Sequence, residues 1–206
     1  MGVVIDNESK AAIALGALAG ALAWIVGYGL TYAASISDLR SNEQYDTLEA
    51  ATDESLAVEM VGLLYYNAHN VVADVPQYSV LQALEPSHNF VLAEGGSTLA
   101  LYAIPVLFLM GAGAVVTLYT HSTDESATDA ALSGSVIVVG YLPLVVFGTF
   151  VFTVDPGNGA MAPDLFLAIG LAGTFYPLVL GALGGVVAHV VSRTPQSGSV
   201  SDPNST

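Results

Sequence analysis

Four uncharged apolar runs constrain this chain more than anything else in it: Ala11–Ser37, Gly95–Thr120, Ala130–Val154 and Leu165–Ser192. Each is longer than the roughly 20 residues that an α-helix, rising about 1.5 Å per residue, needs to cross about 30 Å of hydrocarbon. Their interiors are Leu, Val, Ile, Ala, Gly and Phe on all sides with no polar stripe, the pattern of a helix facing lipid or fully buried. The strict alternation over about 10 residues that marks a membrane β-barrel strand is missing. The fold class that follows is an all-α membrane protein of four transmembrane helices, at 11–35, 97–119, 131–154 and 165–191. An external or interfacial helix is expected between the first and second spans.

The charge lies elsewhere. Of 206 residues, 18 are acidic and 3 basic, a formal net charge of −15, and every Asp and Glu falls outside the four runs. Three cations cannot neutralise a row of phosphates, so nucleic acid is excluded as a partner, and no polybasic patch exists for anionic lipid. The chain has no cysteine, which removes disulfides, thiolate zinc sites, iron–sulfur clusters and thiol nucleophiles. A short tail, 1–10, precedes the first span, whose apolar part is too long for a secretory signal core. Segment 36–96 is an acidic external region holding 10 of the 18 acids. Residues 120–130 form an internal turn, 155–164 an external one, and the Ser/Pro/Gly-rich 192–206 a disordered tail. Lys10 and Arg193 against Arg40 give a two-to-one positive-inside balance, which puts both termini in the cytoplasm and the protein in the cell membrane.

Within the external region, Leu56, Met60, Leu63 and Leu64 recur at helical spacing and predict a helix over about 55–74. Its apolar core is too short to span, so it lies at the interface, re-enters, or packs on the bundle. It carries the most polar cluster on an apolar background, Tyr65, Tyr66, Asn67, His69 and Asn70. On a helix Tyr65 and His69 are neighbours, as are Tyr66 and Asn70. Two readings compete: an anchoring hydrogen-bond set, or a ligand or metal site in which His69 joins His88, Glu85 or Asp74. The His-x-x-x-His or Glu-x-x-His spacing of a strong metal site is absent, so no metal, cofactor or catalytic residue is expected.

Helices in lipid come together through small residues that let backbones approach. Gly16 and Gly20 in the first span, and Gly181 and Gly185 in the fourth, stand four apart, which makes those two helices candidates for a close crossing. Kinks are expected at Pro105, Pro143 and Pro177, each just after a tyrosine, Tyr102, Tyr141 and Tyr176. Superposing Pro105 on Pro177 also aligns Gly113 with Gly185, a faint likeness between second and fourth spans. No Asp, Glu, Lys or Arg lies inside a span, which argues against ion-coupled pumps and intramembrane hydrolases. His189, one turn before Arg193, is expected to reach the interface.

The Tyr66-Asn67-Ala68-His69 sequence after an apolar helix, the later Tyr-x-x-Pro at Tyr102–Pro105 and the acidic, Lys-poor, Cys-free composition together resemble a known group. It is that of small multi-pass membrane proteins of halophilic archaea with no assigned function. The resemblance implies a four-helix membrane protein in a high-salt organism and transfers no catalytic residue. In molar salt the Debye length falls to about 3 Å, which screens the self-repulsion of so acidic a chain. The expected function is non-enzymatic: a structural or accessory subunit whose partners are the lipid bilayer and a second copy or another membrane protein. The alternatives are a small channel or transporter for a neutral solute around proline-kinked helices, lined by Thr117, Tyr141, Thr149 and Tyr176, and a metal- or ligand-binding sensor.

Overall fold

A computed structural model of the protein describes residues 7–75, 87–92, 99–120, 126–155 and 159–194. The chain before residue 7, most of the Tyr78–Glu94 return with Glu85, the turn at 121–125 and the tail from 195 lie outside the described residues. In chain order the elements are α1 (Asn7–Arg40), α2 (Glu43–Thr52), α3 (Ala57–Asn67), β1 (Ala73–Asp74) and β2 (Ser87–His88). A 3-10 turn, Leu99–Tyr102, leads into α4 (Ala103–Thr120), followed by α5 (Ala127–Ser135) and α6 (Val138–Val151). The last part is β3 (Ala162–Pro163), α7 (Leu165–Leu167), a π-helical stretch Ala168–Phe175 and α8 (Tyr176–Arg193).

Four helices are long and apolar enough to cross a membrane: Lys10–Arg40, Leu99–Thr120, Ala127–Val151 and Leu165–Arg193. Many of their large apolar side chains are exposed, among them Leu107, Leu118, Phe147 and Phe166.

The three prolines are absorbed in three ways. Pro105 is the third residue of α4, directly after the 3-10 turn, in a first turn whose backbone its fixed φ suits. Pro143 lies inside α6, just after a break at Val136–Ile137 where the N–H groups of Val136, Val139 and Gly140 bond carbonyls only three residues back. Pro177 follows the π-helical stretch, at whose end the Tyr176 N–H reaches the Leu171 carbonyl five residues back. An α-helix would drive the proline ring into the carbonyl four residues earlier, and the wider π turn relieves that clash.

Glycines set the helix seams. A Cβ on Gly140 would sit 1.7 Å from the Ala17 carbonyl oxygen, and one on Gly20 2.0 Å from that of Ile137. Backbone therefore touches backbone where α1 crosses the third long helix. On the other side, added Cβ atoms at Gly113 and Gly134 would each lie 2.2 Å from the Gly181 oxygen, and one at Gly184 would lie 1.9 Å from that of Met110. The expected crossing of the first and fourth helices is therefore not the one formed. Gly16 and Gly20 face α5 and α6, while Gly181 and Gly185 face α4 and α5. A glycine pair permits a close approach but does not choose the partner; the facing residues, Gly140 for α1 and Gly113 and Gly134 for α8, decide. His189 shares the packed side of α8 with Gly185 and Ala188 and is buried, so it does not reach outward as expected.

At the end of the bundle opposite the termini sits a small cap. Its sheet has the order β2-β1-β3, with Ala73 opposite both His88 and Pro163 in antiparallel pairs. A separate small core of Tyr45, Leu48, Leu56, Met60, Leu63, Val154 and Met161 lies beneath it. The Glu49 carboxylate accepts from the Tyr45 hydroxyl and, at 3.0 Å, from the Leu56 N–H, and these bonds hold its carboxyl below the usual carboxylate range.

Candidate functional site

α3 is the element that carries the site. It stops at Asn67, well short of 74, because Asn70 takes a left-handed conformation, φ 58°, and the Val71 N–H caps the Tyr66 carbonyl five residues back. That is the Schellman pattern, and asparagine is among the few residues besides glycine that adopt it readily. Ala73 and Asp74 are then free to form β1. All of α3 except Val58 and Glu59 is buried. Rather than resting on a surface, it enters the opening of the bundle, packing on α1 with Tyr65 and Tyr66 against Trp24 and Phe152. Gly62 makes room for Phe152: a Cβ there would lie 2.0 Å from the ring.

The deepest part is a closed hydrogen-bond ring. His69 Nδ1 lies 2.8 Å from the Tyr65 carbonyl oxygen, and His69 Nε2 lies 2.6 Å from the Tyr141 hydroxyl. The two tyrosine hydroxyls are 2.8 Å apart. A carbonyl can only accept, so Nδ1 carries the proton and Nε2 of the neutral imidazole is an acceptor. Tyr141 must then donate to His69, which leaves its oxygen to accept from Tyr65. Every bond in the ring acquires one direction, from the Tyr65 hydroxyl through Tyr141 to His69 and back to the Tyr65 backbone.

Burial suits this neutral arrangement. His69 is 1% exposed, and burial pushes its pKa down to about 4, with the Tyr65 carbonyl opposing part of the shift. Burial raises the Tyr65 and Tyr66 hydroxyls well above the ordinary tyrosine range. The ring therefore holds neutral groups, with all its polar hydrogens committed to one another. Tyr141 lies ten positions before the end of α6, so at about 1.5 Å per residue the ring is about 15 Å inside the bundle.

The remaining residues of the cluster fan out from this point. Tyr66 donates to the Val145 carbonyl in α6. Asn67, fully buried, donates to the Val71 carbonyl at 2.7 Å and accepts the Phe90 N–H at 2.8 Å, which clips the turn to the segment beyond β2. Asn70 donates to the Tyr176 hydroxyl at 2.6 Å. The neighbour relation expected of Tyr65 and His69 holds, with their rings 4.8 Å apart. Tyr66 and Asn70 instead reach different helices, because the helix has ended between them. The His88 backbone pairs with Ala73, and its side chain lies outside the described residues.

Sequence reasoning did not count Tyr141, Tyr176 and Tyr102 as part of the cluster. Tyr141 closes the ring, Tyr176 receives Asn70, and Tyr102 receives the Asn89 amide at 3.2 Å. These are the three tyrosines that precede the prolines, and they stand where the cap attaches to each of the last three long helices. Among the described residues, no group of three or more His, Asp or Glu is placed to hold a metal ion.

No curated protein and no solved structure matches the chain. One sequence family does, over residues 5–192. The chain therefore belongs to DUF7978, a family of unknown function.

Proposed function

We propose that this is an integral protein of the cell membrane, non-enzymatic, that serves as a structural or accessory subunit with a rigid external cap. The observation that carries this reading is the closed ring of Tyr65, Tyr141 and His69, in which no polar hydrogen is left over for a substrate. A group that acts on a substrate must be reachable by it, and Tyr65, Tyr141 and His69 are each 1% exposed. The channel alternative gains nothing from its proposed lining. Thr117 donates to the Ala130 carbonyl, Thr149 to that of Val146, Tyr141 belongs to the ring and Tyr176 receives Asn70.

The outward-facing Leu, Val and Phe side chains of the four long helices suit lipid, and the positive-inside balance favours cytoplasmic termini with the cap outside. The acidity of the chain supports a high-salt archaeal setting. Affinity capture from gently solubilised membranes is the test: a stoichiometric partner or a homo-oligomer is expected. A lone monomer in every detergent tried would overturn the reading.

A further inference from the structure

A recess of about 410 Å³ opens in the side of the bundle, between the last third of α1 and the start of the second long helix. Leu30, Ala34, Leu101 and Ile104 form its apolar wall, and Ser35 and Asp38 are its polar groups. We propose that this recess docks one apolar helix of a partner membrane protein that carries a Lys or Arg at the level of Asp38. The proposal rests on the accessory-subunit reading above and names the surface and the chemistry of the partner.

The polar groups of the recess only accept. The Ser35 hydroxyl, buried, already donates to the Thr31 carbonyl at 2.7 Å, and Asp38 is an exposed carboxylate. An occupant that pairs with Asp38 as it displaces water from it has to supply a donor, and a cation is the strongest one. The protein has little of its own to offer. Lys10 and Arg193 lie at the far end of the bundle, and Arg40, two positions beyond Asp38, belongs to another face of the helix and acts on Glu49 and Tyr45. Among the described residues a second copy would bring one arginine, Arg40, and ten acids, Asp155 and Asp164 included, to this end of the molecule, so a foreign cation fits better than self-association. Phosphate and carboxylate lipid headgroups are repelled for the same reason.

The wall beside the recess favours a helix over a lipid tail. A Cβ on Gly29 would meet nothing within 4 Å, and Ala33 and Ser37, one and two turns on, are exposed. Bare backbone on an outward face lets another helix approach closely and gain dispersion contacts there. Side chains of that helix, spaced three and four apart, would then fill the apolar recess.

Because the chain has no cysteine, single ones report cleanly. Ser37→Cys protein is reconstituted in neutral-lipid vesicles with a synthetic Leu/Ala helix of about 20 residues, bearing one Cys beside one interfacial Lys. A second peptide has Glu in place of Lys. Oxidant-catalysed disulfide trapping should give at least tenfold more adduct with the Lys peptide. It should give little at Phe166→Cys, an exposed position (86%) at the same end of the bundle. Asp38→Lys should invert the preference and Asp38→Asn should abolish it, with circular dichroism confirming the fold of each. Equal trapping of both peptides, equal trapping at Phe166→Cys, or protein–protein disulfides at Ser37→Cys exceeding peptide adducts would each overturn the proposal. If affinity capture recovers a partner whose yield Asp38→Lys leaves unchanged, this site alone fails. If no partner or oligomer is recovered at all, the accessory-subunit reading fails with it.

Discussion

Where α1 crosses the third long helix, Gly20 and Gly140 remove side chains until backbone meets backbone. Where α3 enters the same bundle, the side chains are among the largest available, and Tyr65, Tyr66 and His69 reach across with hydroxyl and imidazole groups. The first junction is held by dispersion over a close fit, which is intolerant of added volume and indifferent to pH. The second is held by directed hydrogen bonds between neutral groups, which add a demand for particular atoms to the demand for fit. In the first, a helix needs only a smooth partner. In the second, α6 must present the Tyr141 hydroxyl and the Val145 carbonyl, and α1 the Trp24 ring, to one short element.

Volume should separate the two most sharply. Gly140→Ala puts a methyl group into the Ala17 carbonyl, where neither backbone can yield, and should lower stability by about 3 kcal/mol or more. Gly111→Ala and Gly170→Ala, whose added Cβ atoms meet nothing within 4 Å, should be neutral. Unfolding titrations in mixed micelles compare the three, and a tolerated Gly140→Ala would mean the seam is looser than its geometry.

Chemistry should break the second junction next. Tyr141→Phe keeps the ring's shape but leaves Tyr65 without its acceptor and His69 Nε2 without its donor, a loss of about 2 kcal/mol. Adding Tyr65→Phe to Tyr141→Phe should cost less than the two single changes summed, because both delete the same bond. Strict additivity would show that the ring does not act as a unit.

Acid should then act on the cap junction and not on the glycine seam. The pKa of His69 is about 4 in the folded protein against an ordinary value of 6.5, so between those limits the unfolded chain binds a proton that the folded one refuses. Stability is full above about pH 6.5 and falls as pH drops toward 4, by at most about tenfold in the folding equilibrium per pH unit. His69→Gln should flatten that slope, measured by the same titrations at pH 4.5, 5.5 and 7. The smallest effect is expected in the outer cap. Glu49→Gln weakens the bonds to Tyr45 and Leu56 and should speed amide exchange at Leu56, with global stability unchanged.

The four long helices were legible from uninterrupted apolar runs, because length and lack of charge are local properties that survive any arrangement. The cluster at Tyr65–Asn70 was legible as a set of groups in need of partners for a similar reason, since polar groups on an apolar background must find them. Its partners were half visible: Tyr102, Tyr141 and Tyr176 stood out beside their prolines, but spacing along the chain says nothing about which hydroxyl meets which imidazole. The end of α3 at Asn67 was hidden too, because helical apolar spacing runs on into Val71 and Val75 and only the left-handed Asn70 turns it into β1.

What the sequence determined by itself is the partition of this protein into four oily helices and an acidic region with one polar cluster, since each depends on the free energy of removing particular groups from water. What only the tertiary structure decided is the pairing. Glycines in every long helix offered many close crossings, and the choice of α1 with the third helix, and of α8 with the second and third, followed from which backbones could fit together at once. The direction of each hydrogen bond in the ring was likewise set by a single carbonyl, that of Tyr65, becoming the fixed acceptor for His69.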